Sequence, residues 1–357
     1  MADRKRLSRR NVLRAAVISA VGATAGPSQA ANEILPPPSE KKPKFKILSL
    51  DGGGARGYLS ARILANLELY LDRATKTQIP LGQRFDFIAG TSTGGIIALG
   101  LATGRTAAEI ATFYEKLVPS VFDDKRQRSL AARVSAPKYE SQHLRKVLDE
   151  LFRSATLENV KTDVCITGVA LQSGKPRFHK SPYQAANMGR EKESLADIAM
   201  ATSAAPTYFK AHNLKFSEKI IDGGICANNP SVVAIVDALN FERPSMTNGV
   251  KPAGLSDIVL VSIGTGEQPG MPYDANDLAE AGLLKWAQHI SDVMFESQSA
   301  VADVQARYLL PNNYLRINPK LGKALALDDI THLNDLKNIS DITRADEVLI
   351  KKFFLDG

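Results

Sequence analysis

The stretch KILSLDGGGARGYLSARILANLE, residues 46–68, decides how the rest of the chain is read. Lys46 to Leu50 reads as an apolar strand and Gly57 to Glu68 as a helix. Between them Gly52, Gly54 and Gly57 are spaced G-x-G-x-x-G, the layout of a loop that cradles a dinucleotide pyrophosphate. Two features argue against a nucleotide. Asp51 would face the pyrophosphate with a like charge. The acidic residue expected about twenty positions past the loop is missing, since that region reads TKTQIPLG. The loop is then a ring of backbone N–H groups for some other anion.

Working outward, Phe85–Ala89, Val164–Leu171, Lys219–Ile221 and Asp257–Gly264 read as further strands. Helical patterns cover Gly95–Gly104, Glu140–Phe152, Leu195–Ala204, Ser231–Asn240, Leu278–Leu309 and Leu333–Phe354. Strands alternating with helices predict an α/β fold, a mainly parallel sheet covered by helices on both faces. Ligands of such sheets sit beyond the carboxyl ends of the strands. The segment Ser120–Tyr139 breaks the rhythm and is basic, with Lys125, Arg126, Arg128, Arg133 and Lys138. It reads as a solvated surface or as a cap meeting anionic headgroups.

The 357 residues are 44% hydrophobic, enough for a large core, and carry a formal charge of +7. Most of that charge is local. The first thirty residues hold Arg4, Lys5, Arg6, Arg9, Arg10 and Arg14 against Asp3, so the body is nearly neutral and no nucleic-acid partner is expected. Those thirty residues have a basic start, a short apolar run and small residues before Ala31, the layout of a signal peptide. Ser8-Arg9-Arg10-Asn11-Val12-Leu13-Arg14 resembles the twin-arginine motif, with Val and Arg replacing the usual Phe and Lys. It predicts a bacterial protein delivered by the twin-arginine export machinery to the periplasm or beyond. Residues 31–43 read as a Pro-rich linker. Cys165 and Cys226 belong to no metal-binding pattern and read as two free thiols rather than a pair. No metal or cofactor is expected.

A second glycine turn, Gly90-Thr91-Ser92-Thr93-Gly94, matches G-x-S-x-G. A serine at the tip of a sharp strand-to-helix turn has an exposed hydroxyl and strained backbone. Gly90 and Gly94 remove side chains that would collide as strand and helix cross. Read alone, the turn also fits a helix start with Ser92 as its cap. The hydroxyl needs a proton acceptor. His143, His179, His212, His289 and His332 are available. So is Asp222, which ends an apolar strand before Gly223 and Gly224, although an ordinary Asp-Gly turn reads the same way.

The three motifs in this order resemble the patatin-like phospholipase family. The stretches ATSAAPTYF (Ala201–Phe209), DGGICANNP (Asp222–Pro230), VSIGTG (Val261–Gly266) and NNYLRIN (Asn312–Asn318) are similar too. The resemblance spans 44–318, leaving 319–357 as a C-terminal helical segment without a motif. It implies a three-layer sandwich with a nucleophile-elbow serine. It also implies a lipid acyl hydrolase in which Ser92 attacks an ester carbonyl and Asp222 is the base. The glycine loop, through Gly52, Gly53, Gly54 and Arg56, would form the oxyanion hole. Gly57, Gly90, Gly94, Gly223 and Gly224 support the motifs. The implied partners are lipid acyl esters at a membrane or micelle surface. Their acyl chains would need an apolar cleft, expected from Ile96–Leu101 and Pro206–Phe209.

Overall fold

The computed structural model describes residues 44–129, 131–182, 192–215, 218–240 and 251–355. The expected export signal (1–30) and linker (31–43) lie outside the described residues. Chain order is β1 (Phe45–Leu50), α1 (Gly57–Thr75), β2 (Phe87–Gly90), α2 (Thr93–Ala102), α3 (Ala107–Phe122), α4 (Ser141–Phe152), β3 (Asp163–Ala170) and β4 (Lys175–Lys180). There follow α5 (Leu195–Thr202), β5 (His212–Asn213), β6 (Lys219–Asp222), α6 (Gly224–Ala227), α7 (Ser231–Asn240), β7 (Ile258–Ile263), α8 (Ala275–Ala279), α9 (Leu283–Leu309), β8 (Tyr314–Ile317), α10 (Leu333–Asn338) and α11 (Arg344–Phe354).

One mixed, mainly parallel sheet forms the middle layer, in the order β5-β6-β3-β2-β1-β7-β8, with β4 also paired to β3. The pairs β1·β2, β1·β7, β2·β3 and β7·β8 are parallel, as the strand–helix alternation requires. Side chains of β1 alternate between two cores, the period-2 rule of a strand. Leu48 and Leu50 join the large cluster with α1, α2 and α3. Phe45 and Ile47 join the smaller one with α7 and the end of α9. Helix α2 is buried along its whole length, which explains its apolar sequence. Residues after β8 pack on the larger core through Leu325, Leu327, Leu336, Ile350 and Phe353.

Strand β3 sets the register of the end of the sheet where the two glycine turns lie. Strand β4 lines one edge of it from Cys165 to Ala170. The other edge is shared. Gly90 of β2 pairs with Ile166, and Asp222 of β6 pairs with Gly168, two positions further on. Strand β6 runs antiparallel, so it meets the carboxyl end of β2 head-on. A two-residue step is about 7 Å.

Several elements differ from the sequence reading. Leu278–Leu309 is two helices, because the chain breaks before Gly282. Leu333–Phe354 is also two, because Thr343 caps a new helix in a capping box with Asp346. Helix α3 and strands β4, β5 and β8 add to the elements the sequence pattern predicts, and Thr106 and Glu109 form the same capping signature at the start of α3. Cys165 is buried in β3 and Cys226 half-buried in α6, and no disulfide joins them.

Glu68 of α1 is buried, and its two carboxylate oxygens accept from the Leu81 and Ala107 amides at 2.7 and 2.8 Å. Glu68→Ala orphans two buried N–H groups. It is expected to cost about 2–4 kcal/mol in denaturant unfolding; a loss within about 0.5 kcal/mol would show that these contacts do not hold the loops.

Candidate active site

Ser92 lies between β2 and α2 with φ 53° and ψ −123°, left-handed backbone that an L-residue adopts only when its surroundings force it. Its amide donates to Thr202 Oγ1 at 2.9 Å, and its carbonyl accepts from the Ile96 amide as α2 begins. The hydroxyl makes no capping bond to the helix. That removes the capping reading. A Cβ on Gly90 would strike the Gly94 carbonyl, and one on Gly94 the Leu50 and Asp51 carbonyls. Both glycines are therefore demanded by the crossing of β2, α2 and the end of β1.

Asp222 closes β6 with no exposed surface. Its Oδ1 accepts from the Gly224 amide at 2.8 Å, while Oδ2 makes no fully formed hydrogen bond. Burial pushes the carboxyl up to about 7, opposed by the Gly224 amide and by the Ser92 hydroxyl beside it. Gly223 and Gly224 let this turn pack on Thr167 of β3 and on the Phe295 ring of α9. Thr91 ties the two turns together, because its Oγ1 meets Thr167 Oγ1 at 2.7 Å and donates to the Ala227 carbonyl at 2.6 Å.

The glycine loop presents a narrower set of donors than its sequence suggests. The Gly52 amide bonds to the Asn228 carbonyl, that of Ala55 to Leu327 and that of Arg56 to Gly53. Among the described residues, no hydrogen bond engages the amides of Gly53 and Gly54. Gly54 has φ +57°, and a Cβ there would also strike the Leu327 carbonyl. Arg56 is buried and donates through Nη1 to the Leu325 carbonyl at 2.7 Å. Its side chain braces the segment that walls the loop, a stretch in which the sequence shows no motif.

Asp51 does not face the loop's ligand. It forms a bidentate pair with Arg316 of β8 at 2.9 and 2.5 Å, and Arg316 Nη1 also donates to Ser262 Oγ at 2.7 Å. Burial alone would weaken the guanidinium's hold on its proton; Asp51 opposite more than offsets this and raises its pKa. Asn228, Thr202, Thr265 and Arg316 all sit in stretches that carried the family resemblance, but their contacts could not be read from spacing.

Ser92 opens into an apolar pocket of about 480 Å³, part of it open to solvent. Of the expected lining, Ile96, Tyr208 and Phe209 are there, with Leu117, Phe122 and Phe295 from helices not assigned to it. Ile97 to Leu101 are core instead. Tyr208 also lines a wider cavity with Arg133, Val134, Lys138, Asp292 and Asp328, so two of the five basic residues of Ser120–Tyr139 border a space that shares this wall. No histidine lines the inner pocket. His212 is bonded to Asp197 and His332 to Asp335.

Removing one partner of a buried ion pair leaves an uncompensated charge, at about 3–5 kcal/mol. Asp51→Asn and Arg316→Met should each destabilise strongly in denaturant unfolding, and the double variant should recover much of the loss. Additive losses would show that the pair is not coupled.

Residues 48–235 match the profile of the family described as patatin-like phospholipase. Patatin-like protein 2 of Arabidopsis thaliana is 30% identical over 86% of this chain and 83% of its own length. A cGAMP-activated phospholipase of Escherichia coli (strain TW11681) is 38% identical over 63% of this chain and 63% of its own. Among solved structures, VipD from Legionella pneumophila aligns with a TM-score of 0.46 and 13% identity, covering 87% of this chain and 67% of that one. The chain belongs to the patatin-like phospholipase family.

Proposed function

We propose that the protein is a lipid acyl hydrolase working through a Ser92–Asp222 dyad. The observation that carries this reading is the buried Asp222 carboxyl beside the Ser92 hydroxyl, with a pKa pushed up to about 7. A carboxylate of ordinary acidity is a poor base, whereas one tuned near neutrality can accept a serine proton. Ser92 Oγ attacks the ester carbonyl and its proton passes to Asp222. The oxyanion takes the Gly53 and Gly54 amides, donors worth about 10²–10³ in rate each. Expulsion of the alcohol, protonated by Asp222, leaves an acyl-enzyme. Asp222 then takes a proton from water, the tetrahedral intermediate collapses, and Ser92 recovers its proton as the carboxylic acid leaves.

The apolar lining of the inner pocket suits an acyl chain. The wider cavity, lined by Arg133, Asp292 and the Lys138–Asp328 ion pair, suits the polar end of a lipid at a membrane surface. Arg56 acts by bracing the loop, since its own amide and Nη1 are both engaged. Residues 1–30 direct twin-arginine export in this reading. Replacing Arg9 and Arg10 by Lys should then keep the protein out of the periplasmic fraction; unchanged delivery would reject that part.

The test of the chemistry is fatty-acid release from phospholipid vesicles beside hydrolysis of a short-chain chromogenic ester. Ser92→Ala and Asp222→Asn should both fall to background on either substrate. The wild-type kcat/KM should drop about tenfold per pH unit below pH 7, as the base is protonated. Stability moves the other way. Because the folded carboxyl holds its proton to a higher pH than the unfolded one, the native state loses stability between about pH 4 and 7. Asp222→Asn removes that loss, so its Tm advantage over wild type should grow from pH 5 to pH 8. An active Asp222→Asn would transfer the base role to a histidine. Ester cleavage without fatty-acid release would retain the chemistry and reject the lipid substrate.

A further inference from the structure

Asn228 follows α6 on the same turn as Asp222 and is 4% exposed. Its carbonyl accepts from the Gly52 amide at 3.0 Å. Its Nδ2 donates to the Gly52 carbonyl at 3.2 Å and to Ser299 Oγ of α9 at 2.9 Å. A backbone carbonyl can only accept, so this contact sets the amide's orientation and leaves Oδ1 on the other side. That oxygen is buried and makes no hydrogen bond. A buried amide oxygen without a partner is costly in a native protein and calls for a reason.

Its surroundings supply one. A Cβ on Gly52 would overlap Asn228 Oδ1 and lie 3.2 Å from Ser92 Cβ; a Cβ on Gly224 would lie 2.9 Å from the same oxygen. Both glycine α-carbons thus pack directly against Oδ1, where any side chain would displace it, and Gly52 places that oxygen beside Ser92. On the same turn another buried acceptor without a formed bond is Asp222 Oδ2, on the carboxyl beside the Ser92 hydroxyl. A water molecule has two O–H donors, and this turn offers two acceptors.

We infer that Asn228 Oδ1, together with Asp222, holds the water that hydrolyses the acyl-enzyme. The inference rests on the acyl-enzyme reading above. One O–H of the water donates to Asp222, which takes that proton as the water oxygen bonds to the acyl carbon. The other O–H donates to Asn228 Oδ1 and stays on the oxygen, becoming the hydroxyl of the carboxylic acid. The C–Oγ bond breaks, and Asp222 returns its proton to Ser92 Oγ. Asn228 touches the reacting water and neither gains nor loses a proton.

Methanol separates this role from a structural one. It can also accept the acyl group, but it carries a single O–H and needs only Asp222. Wild type, Asn228→Ala and Asn228→Asp are compared on a short-chain p-nitrophenyl ester in methanol–water, measuring acid and methyl ester. Both variants lose the Nδ2 latch on Gly52, but only alanine loses the acceptor. The acid-to-methyl-ester ratio should fall about tenfold in Asn228→Ala, the worth of one hydrogen bond, and stay near wild type in Asn228→Asp. A burst of p-nitrophenol should accompany the fall, as deacylation becomes limiting. Asn228→Leu, close in volume and without an acceptor, replaces the alanine variant should that fail to fold. An equal ratio in both variants, shifted or not, reduces Asn228 to a latch and overturns the inference. A wild type that forms no acyl-enzyme overturns the dyad reading itself.

Discussion

The left-handed backbone of Ser92 is the constraint around which the candidate site is organised. Such a conformation costs about 1–3 kcal/mol and persists only where the surroundings over-determine it. Here the Thr202 hydroxyl accepts the Ser92 amide, α2 begins on its carbonyl, and two glycine α-carbons let β1, β2 and α2 converge. The turn lifts the hydroxyl away from its own helix and towards the end of β6. A relaxed serine here would cap α2, and its hydroxyl would be engaged by the helix.

Around that turn, polar groups are divided by whether they are paired. Asp51 and Arg316 form a closed bidentate pair under the glycine loop and extend through Ser262. A buried pair of this kind serves to fix geometry more than to add stability. Asp222, equally buried, faces no cation, and burial raises its pKa. Burial raises Asp51 too, but there Arg316 opposes the shift, so the two carboxylates at strand ends differ in their partners. The difference lies in which strand delivers a guanidinium.

The glycine loop is clamped by two later segments of the chain. Asn228 holds Gly52 from the α6 turn, and the Leu327 carbonyl holds Ala55 from the segment after β8. Gly53 and Gly54 are left as donors because every neighbouring amide is already bonded. Selection by exclusion of this kind depends on contacts more than 170 residues apart in sequence.

The motif glycines, the strand endings at Leu50 and Gly90, and the candidates Ser92 and Asp222 were legible in the sequence. Each expresses a local demand: a close approach, an alternating pattern, or a polar group ending an apolar run. Helix α3 and the break before Gly282 are local too, and the cap at Thr106 could have revealed the first. What the sequence by itself determined is the α/β class and the residues able to do the chemistry, because short-range sterics and periodicity write those into the chain. Only the tertiary structure decided that Asp51 is locked to Arg316 and Asp222 is not. It also decided which two amides remain free and that α3, α9 and the segment after β8 wall the pocket. Those outcomes follow from the register of β3 and from long-range packing, and no spacing along the chain encodes them.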